Sequence, residues 1–182
     1  MNKNILILSP HADDEILGCG GTISKYANKG YSINVLVMTN ANKGAPEIYS
    51  AKEISHIRKE SKLANKIIGT KKLFFEDLPA LNLNLYPIYK ISNIIEKYIS
   101  IIKPEIIFIP SINDIHEDHK VIFKAAKVAT RMNKKSNLKK ILSYEVLSET
   151  EWNENEKSFS PNYFVRLNKS HINNKIKAFL KY

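Results

Sequence analysis

Sulfur is almost absent from this sequence. Cys19 is the one cysteine in 182 residues, which excludes an intrachain disulfide and any zinc site built on cysteines, so a bound metal has to be held by His, Asp or Glu. No apolar run approaches the roughly 18 residues of a membrane span. The opening Met1-Asn2-Lys3-Asn4 leads into four apolar positions, Ile5 to Leu8, and then at once to Pro10 and two aspartates. That run is too short for a secretory leader, and the expectation is a cytoplasmic protein without a membrane span. Glycine is scarce, at six, and the stretch Gly18-Cys19-Gly20-Gly21-Thr22 stops short of the dinucleotide-binding pattern. Close packing of a helix on a strand accounts for those glycines better than a phosphate cradle does. Aromatic residues do not interleave with the lysines in the way that stacking on single strands requires. The formal net charge of +10 is therefore read as a general excess of lysine, and no nucleic-acid partner is expected. The densest basic group, Lys134, Lys135, Lys139 and Lys140 around Ser136-Asn137, reads as a solvated loop.

What is present is the balance of a globular domain, 43% apolar and 25% charged, in a length that suits one domain over 1–182. Short β-branched runs alternate with amphipathic ones. Residues 4–8, 32–38, 72–75, 105–109 and 140–147 read as strands. Residues 18–28 (stopped by Gly30), 48–68, 87–102, 116–132 and 171–181 read as helices. This order predicts a single-domain α/β fold, a Rossmann-like three-layer sandwich around a mostly parallel sheet. Ligands of such a sheet bind beyond the carboxyl ends of its strands.

Two of those strand ends carry unusual chemistry. The first runs into Ser9-Pro10-His11-Ala12-Asp13-Asp14-Glu15, and the fourth into Asn113-Asp114-Ile115-His116-Glu117-Asp118-His119. Three of the five histidines fall here. His11 and Asp14, three apart in a turn, can aim at one point, and His119 can complete the set from the neighbouring crossover. Two imidazoles and one carboxylate bind a divalent ion and leave positions open for water. Zn2+ and Fe2+ both suit such donors. Asp13, beside Asp14 but directed elsewhere, is free to act as a base. Taken singly, each residue has a structural explanation: Asp114 as a helix N-cap with Glu117 completing a capping box, and His116 and His119 as ordinary first-turn residues. Their coincidence at two ends of one sheet is what points to a site. His56 and His171, inside helical stretches without acidic neighbours, read as surface residues.

These residues resemble the LmbE-like, or PIG-L, family of N-acetylglucosaminyl deacetylases. The resemblance is carried by Pro10-His11-Ala12-Asp13-Asp14-Glu15, Leu17-Gly18-Cys19-Gly20-Gly21-Thr22, Thr39-Asn40, His116-Glu117-Asp118-His119, Tyr144-Glu145-Val146, Trp152 and Pro161-Asn162. It implies a zinc-dependent hydrolase whose zinc-bound water attacks the acetyl group of an N-acetylglucosamine-type conjugate, a small-molecule N-acetyl sugar. It makes His11, Asp14 and His119 the metal ligands and Asp13 the general base. His116 becomes the group that holds the oxyanion or protonates the leaving amine, with Asp118 or Asp114 keeping it charged, and Arg58 contacts the substrate. The chain departs from the family at Glu117, where proline is usual. Hydrolysis of another N-acyl amide is the alternative among enzymes. A sugar- or nucleotide-binding module without turnover is the alternative outside them, against which the intact Asp13 and His116 speak. Members of the family continue past the helix that stops here at Lys181-Tyr182, which implies a shortened C-terminus. The apolar positions Ile172, Ile176, Phe179 and Leu180 need cover from the sheet edge or from another chain. The expectation is a pocket that is more open than usual, or one completed in a homo-oligomer.

Overall fold

Side chains alternate across a strand with a period of two, and here both sets are apolar. Ile5 and Ile7 of β1 (Asn4–Ser9) face one way with Val35 and Val37 of β2 (Ser32–Asn40) and Phe108 of β4 (Ile106–Pro110). Leu6, Leu8, Leu36, Met38, Ile107 and Ile109 face the other way. A sheet that is apolar on both faces has to be covered on both. The computed structural model, which describes residues 3–131, 137–147, 149–152 and 159–182, has that three-layer arrangement. Helices α1 (Asp14–Asn28), α3 (Ala51–Ile68) and α6 (Lys169–Phe179) pack together on the first face, placing Ile16, Ile23, Ile68 and Ala178 on it. Helices α4 (Ile88–Ile102) and α5 (Glu117–Ala129) cover the second with Ile91, Ile95, Ile122 and Ala125. Each large side chain buried this way contributes about 1.5–3 kcal/mol.

All five strands are parallel, in the order β3-β2-β1-β4-β5, with β3 at Lys72–Pro79 and β5 at Lys140–Tyr144. Ile5 stands opposite Ile33 on one side and Ile106 on the other. The chain winds outward from β1 through β2 to β3, then returns to β4 on the opposite side of β1. Loops leaving β1 and β4 at their carboxyl ends therefore diverge, and a crevice opens between them. Among the described residues no helix is long and apolar enough to cross a membrane.

Several elements differ from the sequence expectation. Helix α1 begins at Asp14, not at residue 18, because the Asp13 carbonyl already accepts the Ile16 and Leu17 amides at 2.8 and 2.9 Å. The acidic motif is thus itself the first helical turn, where carboxylates suit the helix dipole. Gly30, at φ 77°, turns the chain after α1 as expected. Gly18 meets β5: a Cβ there would lie 2.3 Å from the Tyr144 ring and 2.7 Å from the Glu145 carbonyl oxygen. That is the helix-on-strand packing expected of this stretch. A short helix α2 (Ala41–Gly44) follows β2, and α3 starts at Ala51 under a Ser50/Glu53 capping box, not at residue 48. β3 extends to Pro79, past a register shift against β2, whereas β5 ends at Tyr144 because the Val146 amide turns to Thr150 Oγ1.

His171 is buried, not superficial, and closes a capping box with Asn168 at the start of α6. His56 is exposed but does have acidic company, Glu60 at 3.1 Å one turn on. Of the basic group, Lys134 and Lys135 lie outside the described residues, Lys139 pairs with Glu105 at 2.9 Å, and Lys140 opens β5 with its ammonium over the Tyr163 ring. The apolar face of α6 is not covered by the sheet edge: the helix lies on α1 and α3, and Ile172, Ile176, Phe179 and Leu180 stay about half exposed or more.

Candidate metal and catalytic site

The crevice between β1 and β4 holds a close triangle of donor atoms. His11 Nδ1 lies 3.3 Å from Asp14 Oδ2, His119 Nε2 lies 3.2 Å from the same oxygen, and the two ring nitrogens are 3.2 Å apart. Donors bonded tetrahedrally to one zinc ion at about 2.0–2.1 Å stand about 3.3–3.4 Å from one another. The triangle thus has the dimensions of three corners of such a site. Asp14 is fixed in place by accepting the His11 amide at 2.8 Å. Each imidazole is backed by a carboxylate on its far nitrogen: Asp118 Oδ2 is 3.0 Å from His11 Nε2, and Asp114 Oδ2 is 2.9 Å from His119 Nδ1. For His11 the contact is a hydrogen bond, the usual support of metal-binding histidines that fixes the tautomer and the ring, whereas His119 Nδ1 has the Asp114 carboxylate close by but out of hydrogen-bonding geometry. The supports are themselves held. Asp118 accepts the Leu81 and Leu83 amides, and Asp114 accepts the His116 amide and the Thr150 hydroxyl.

This arrangement corrects the expectation for Asp114 and Asp118. Their close side-chain contacts are with the two imidazoles of the triangle, and Asp118 acts on His116 only through its charge, which favours the imidazolium. Asp114 is not the N-cap of α5 either. His116 is, with its Nδ1 accepting the Asp118 amide at 3.2 Å. His116 stands at the edge of the triangle, its ring 4.6 Å from that of His11 and 5.0 Å from that of His119. One nitrogen from each of His11, His116 and His119 lies within 4.8 Å of the others, so a looser three-histidine set shares the same crevice.

The electrostatics fit a cation. Burial alone lowers an imidazole, yet Asp118 and Asp14 raise His11 to about 10, and Asp14 and Asp114 raise His119 to about 9. Burial alone would raise Asp14, but its contacts with His119 and His11 hold it well below the carboxylate range. All three shifts favour positive charge in the crevice. Asp13 is pushed the other way: burial first, then the charges of Asp14 and Glu15, lift its carboxyl to about 7. His116 is lowered by burial and by its two imidazole neighbours. Asp118 and Asp14 act in the opposite direction, and the net shift runs against the expectation of a charged His116.

The donor triangle opens into a cavity of about 310 Å3, at the small end of the roughly 300–1,000 Å3 of ligand pockets. Asp13 and His116 line it beside an apolar wall that includes Tyr49, Phe75, Leu81 and Val146. Arg58 reaches the cavity, but its guanidinium is already engaged, donating to Asp77 Oδ1 at 2.6 Å and to the Glu76 carbonyl at 3.0 Å above the Phe75 ring. Sequence reasoning missed Glu149, a cavity carboxylate raised by burial and by Asp114. It follows β5, between Tyr144-Glu145-Val146 and Trp152, a stretch that carries part of the family resemblance and so offered a signal for it.

The parallel sheet with its three-donor crevice at the strand ends is the setting in which the comparisons are read. The family model of PIG-L, GlcNAc-PI de-N-acetylase, matches residues 6–130. The chain belongs to this LmbE-like family, whose similar members are deacetylases. An uncharacterised deacetylase of Escherichia coli, YaiS, is 33% identical over 186 residues, covering 99% of this chain and 90% of its own length. A probable N-acetyl-α-D-glucosaminyl L-malate deacetylase of Bacillus cereus is 30% identical over 142 residues, 74% of this chain and 64% of that protein. Among solved structures, the N,N'-diacetylchitobiose deacetylase of Pyrococcus horikoshii superposes with a TM-score of 0.75 at 22% identity, over 98% of this chain and 69% of that one.

Proposed function

We propose that this protein is a metal-dependent N-deacetylase that removes the acetyl group from an N-acetylglucosamine-type sugar conjugate. The observation that carries the reading is the donor triangle of His11, Asp14 and His119, 3.2–3.3 Å on each edge, with Asp13 beside it on the cavity wall. The three residues would hold Zn2+, and Fe2+ suits the same donors. When bound, such an ion supplies Lewis acidity toward the acetyl carbonyl and lowers the pKa of water to about 7.

The chain's own groups supply the rest. Asp13, raised toward neutrality, accepts a proton from the attacking water as the water oxygen bonds to the acetyl carbon. His116 uses Nδ1 as an acceptor, so in its neutral form Nε2 carries the proton, ready to donate to the carbonyl oxygen as negative charge develops there. The proton held by Asp13 then passes to the departing nitrogen as the C–N bond breaks, giving acetate and the free amine. Arg58, braced by Asp77, shapes the wall on which the sugar rests. The small cavity suits one sugar unit, with the remainder of the conjugate outside it.

The test is metal analysis joined to an amine-release screen over N-acetylglucosamine conjugates. The expected result is about one divalent ion per chain, with turnover that a chelator abolishes and metal restores. Absence of amine release from every conjugate by the metal-loaded protein would overturn the reading.

A further inference from the structure

Asp13 occupies a backbone region, φ 150° and ψ −29°, that residues with a side chain rarely adopt. Such conformations are strained and persist where neighbours over-determine them. One neighbour stands out. The Asp13 amide donates to Glu15 Oε2 at 3.2 Å, while the Asp13 carbonyl is held by the first turn of α1. Glu15 has no exposed surface and does not line the cavity. It is anchored from three other elements. Ser9 Oγ at the end of β1 lies 2.9 Å from Oε2, Asn65 Nδ2 of α3 donates to Oε1 at 2.6 Å, and the Tyr182 hydroxyl beyond α6 donates to Oε1 at 3.3 Å.

We propose that Glu15 is a positioning residue that holds the Asp13 peptide in its strained turn and so aims the Asp13 carboxylate into the cavity. This rests on the reading of Asp13 as the base. The carboxylate is the one group that fits, because it accepts on both oxygens. An amide in its place has to set its NH2 against a donor, either the Asp13 amide or Asn65 Nδ2. Glu15→Gln therefore releases Asp13 or loses its own anchor. Misplacing a reacting group by about 1 Å costs about 10²-fold in rate.

The expected result for Glu15→Gln is a kcat lower by about 10²-fold, with KM and metal affinity each within about 3-fold of the parent. The double change Glu15→Gln with Asn65→Asp conserves charge and gives the new amide an acceptor, and it should recover at least about tenfold of the lost kcat. If Glu15→Gln alone does not fold, this pair carries the test. An unchanged kcat overturns the proposal, and so does a metal affinity that falls in step with kcat. A readout independent of turnover is the backbone NMR signal of Asp13. Its amide should be protected from exchange in the parent and lose that protection in Glu15→Gln, while the His11 amide, bonded to Asp14, keeps its own. An Asp13 amide that already exchanges freely in the parent overturns the proposal whatever the activity. A parent with a protected Asp13 amide but no amine release would fail the deacetylase reading alone.

Discussion

The two ends of the sheet are built from the same strands and share almost nothing else. At the carboxyl end, the loops and the first turns of α1 and α5 bury Asp14, Glu15, Asp114, Asp118 and His119 and hold Asp13 in a strained conformation. Their outer rim presents large apolar side chains, with Ile48 64%, Leu85 79% and Trp152 66% exposed. At the amino end, the turns at 29–31, 69–71 and 103–105 are short and expose lysines, and none of them exposes a large apolar side chain. The amino-end turns do what chain closure requires. The carboxyl-end loops gather groups whose burial opposes folding unless each is paired, and pairing is what they provide. Backbone strain occurs at both ends, since Lys103 holds φ 50° in an amino-end turn, but among the described residues the buried carboxylates gather at the carboxyl end.

The largest effect that would sharpen this contrast is expected from Asp13→Asn. The amide is nearly isosteric but accepts no proton, so turnover should fall about 10²–10⁴-fold while metal content stays at the parent level. Near-normal turnover with full metal would remove Asp13 from the chemistry. Next come His11→Ala and His119→Ala, each of which should lose the ion on dialysis, as read by elemental analysis; full occupancy in both would break the ligand triangle. His116→Ala separates the two donor sets. The reading advanced here expects metal retained and kcat reduced about 10²-fold, whereas loss of the ion would favour the three-histidine set.

Removal of the metal should then change the pH dependence of stability. His11 and His119 are raised above the usual imidazole value of 6.5, to about 10 and about 9. Their contribution in the metal-free protein is complete below about 6.5 and fades as pH rises through 9 to 10. Metal binding displaces those protons, so its affinity should rise with pH over the same range, by up to about tenfold per unit for each proton released. Melting curves of chelated and reloaded protein should diverge as pH rises from 6 toward 9, and a gap that is constant or narrows would contradict this assignment. The smallest effect is expected from the amino end. Gly30→Ala forces a side chain into φ 77° and should cost about 1 kcal/mol of stability in denaturant melts, with kcat untouched. A drop in kcat there would break the division between the two ends.

How much of this was legible beforehand varies by element. The strands, the three layers and the parallel order follow from short β-branched runs set between amphipathic ones, because burial on both faces leaves a continuous apolar signature. The motif around His11 and the one around His119 stand at strand ends in the sequence itself, and the structure brings them together where expected. Boundaries were less legible: the acidic motif doubles as the first turn of α1, and hydrogen bonds to the Asp13 carbonyl, not side-chain pattern, decide that.

The sequence by itself thus determined the fold class, the end of the sheet that carries the chemistry and the donor types available there. Only the tertiary structure decided which carboxylate backs which imidazole. Asp114, Asp118 and His116 are within a few positions of one another, and spacing alone suggests that they pair. Asp118 instead reaches across to His11, 107 positions away, and Asp114 turns to His119. Asn65 and Tyr182 likewise reach Glu15 from distant segments without any local mark. Local pattern reports what a residue does to its own helix or strand. Which charged groups meet inside a low-dielectric crevice depends on the packing of separate elements, and that is settled only when the chain has folded.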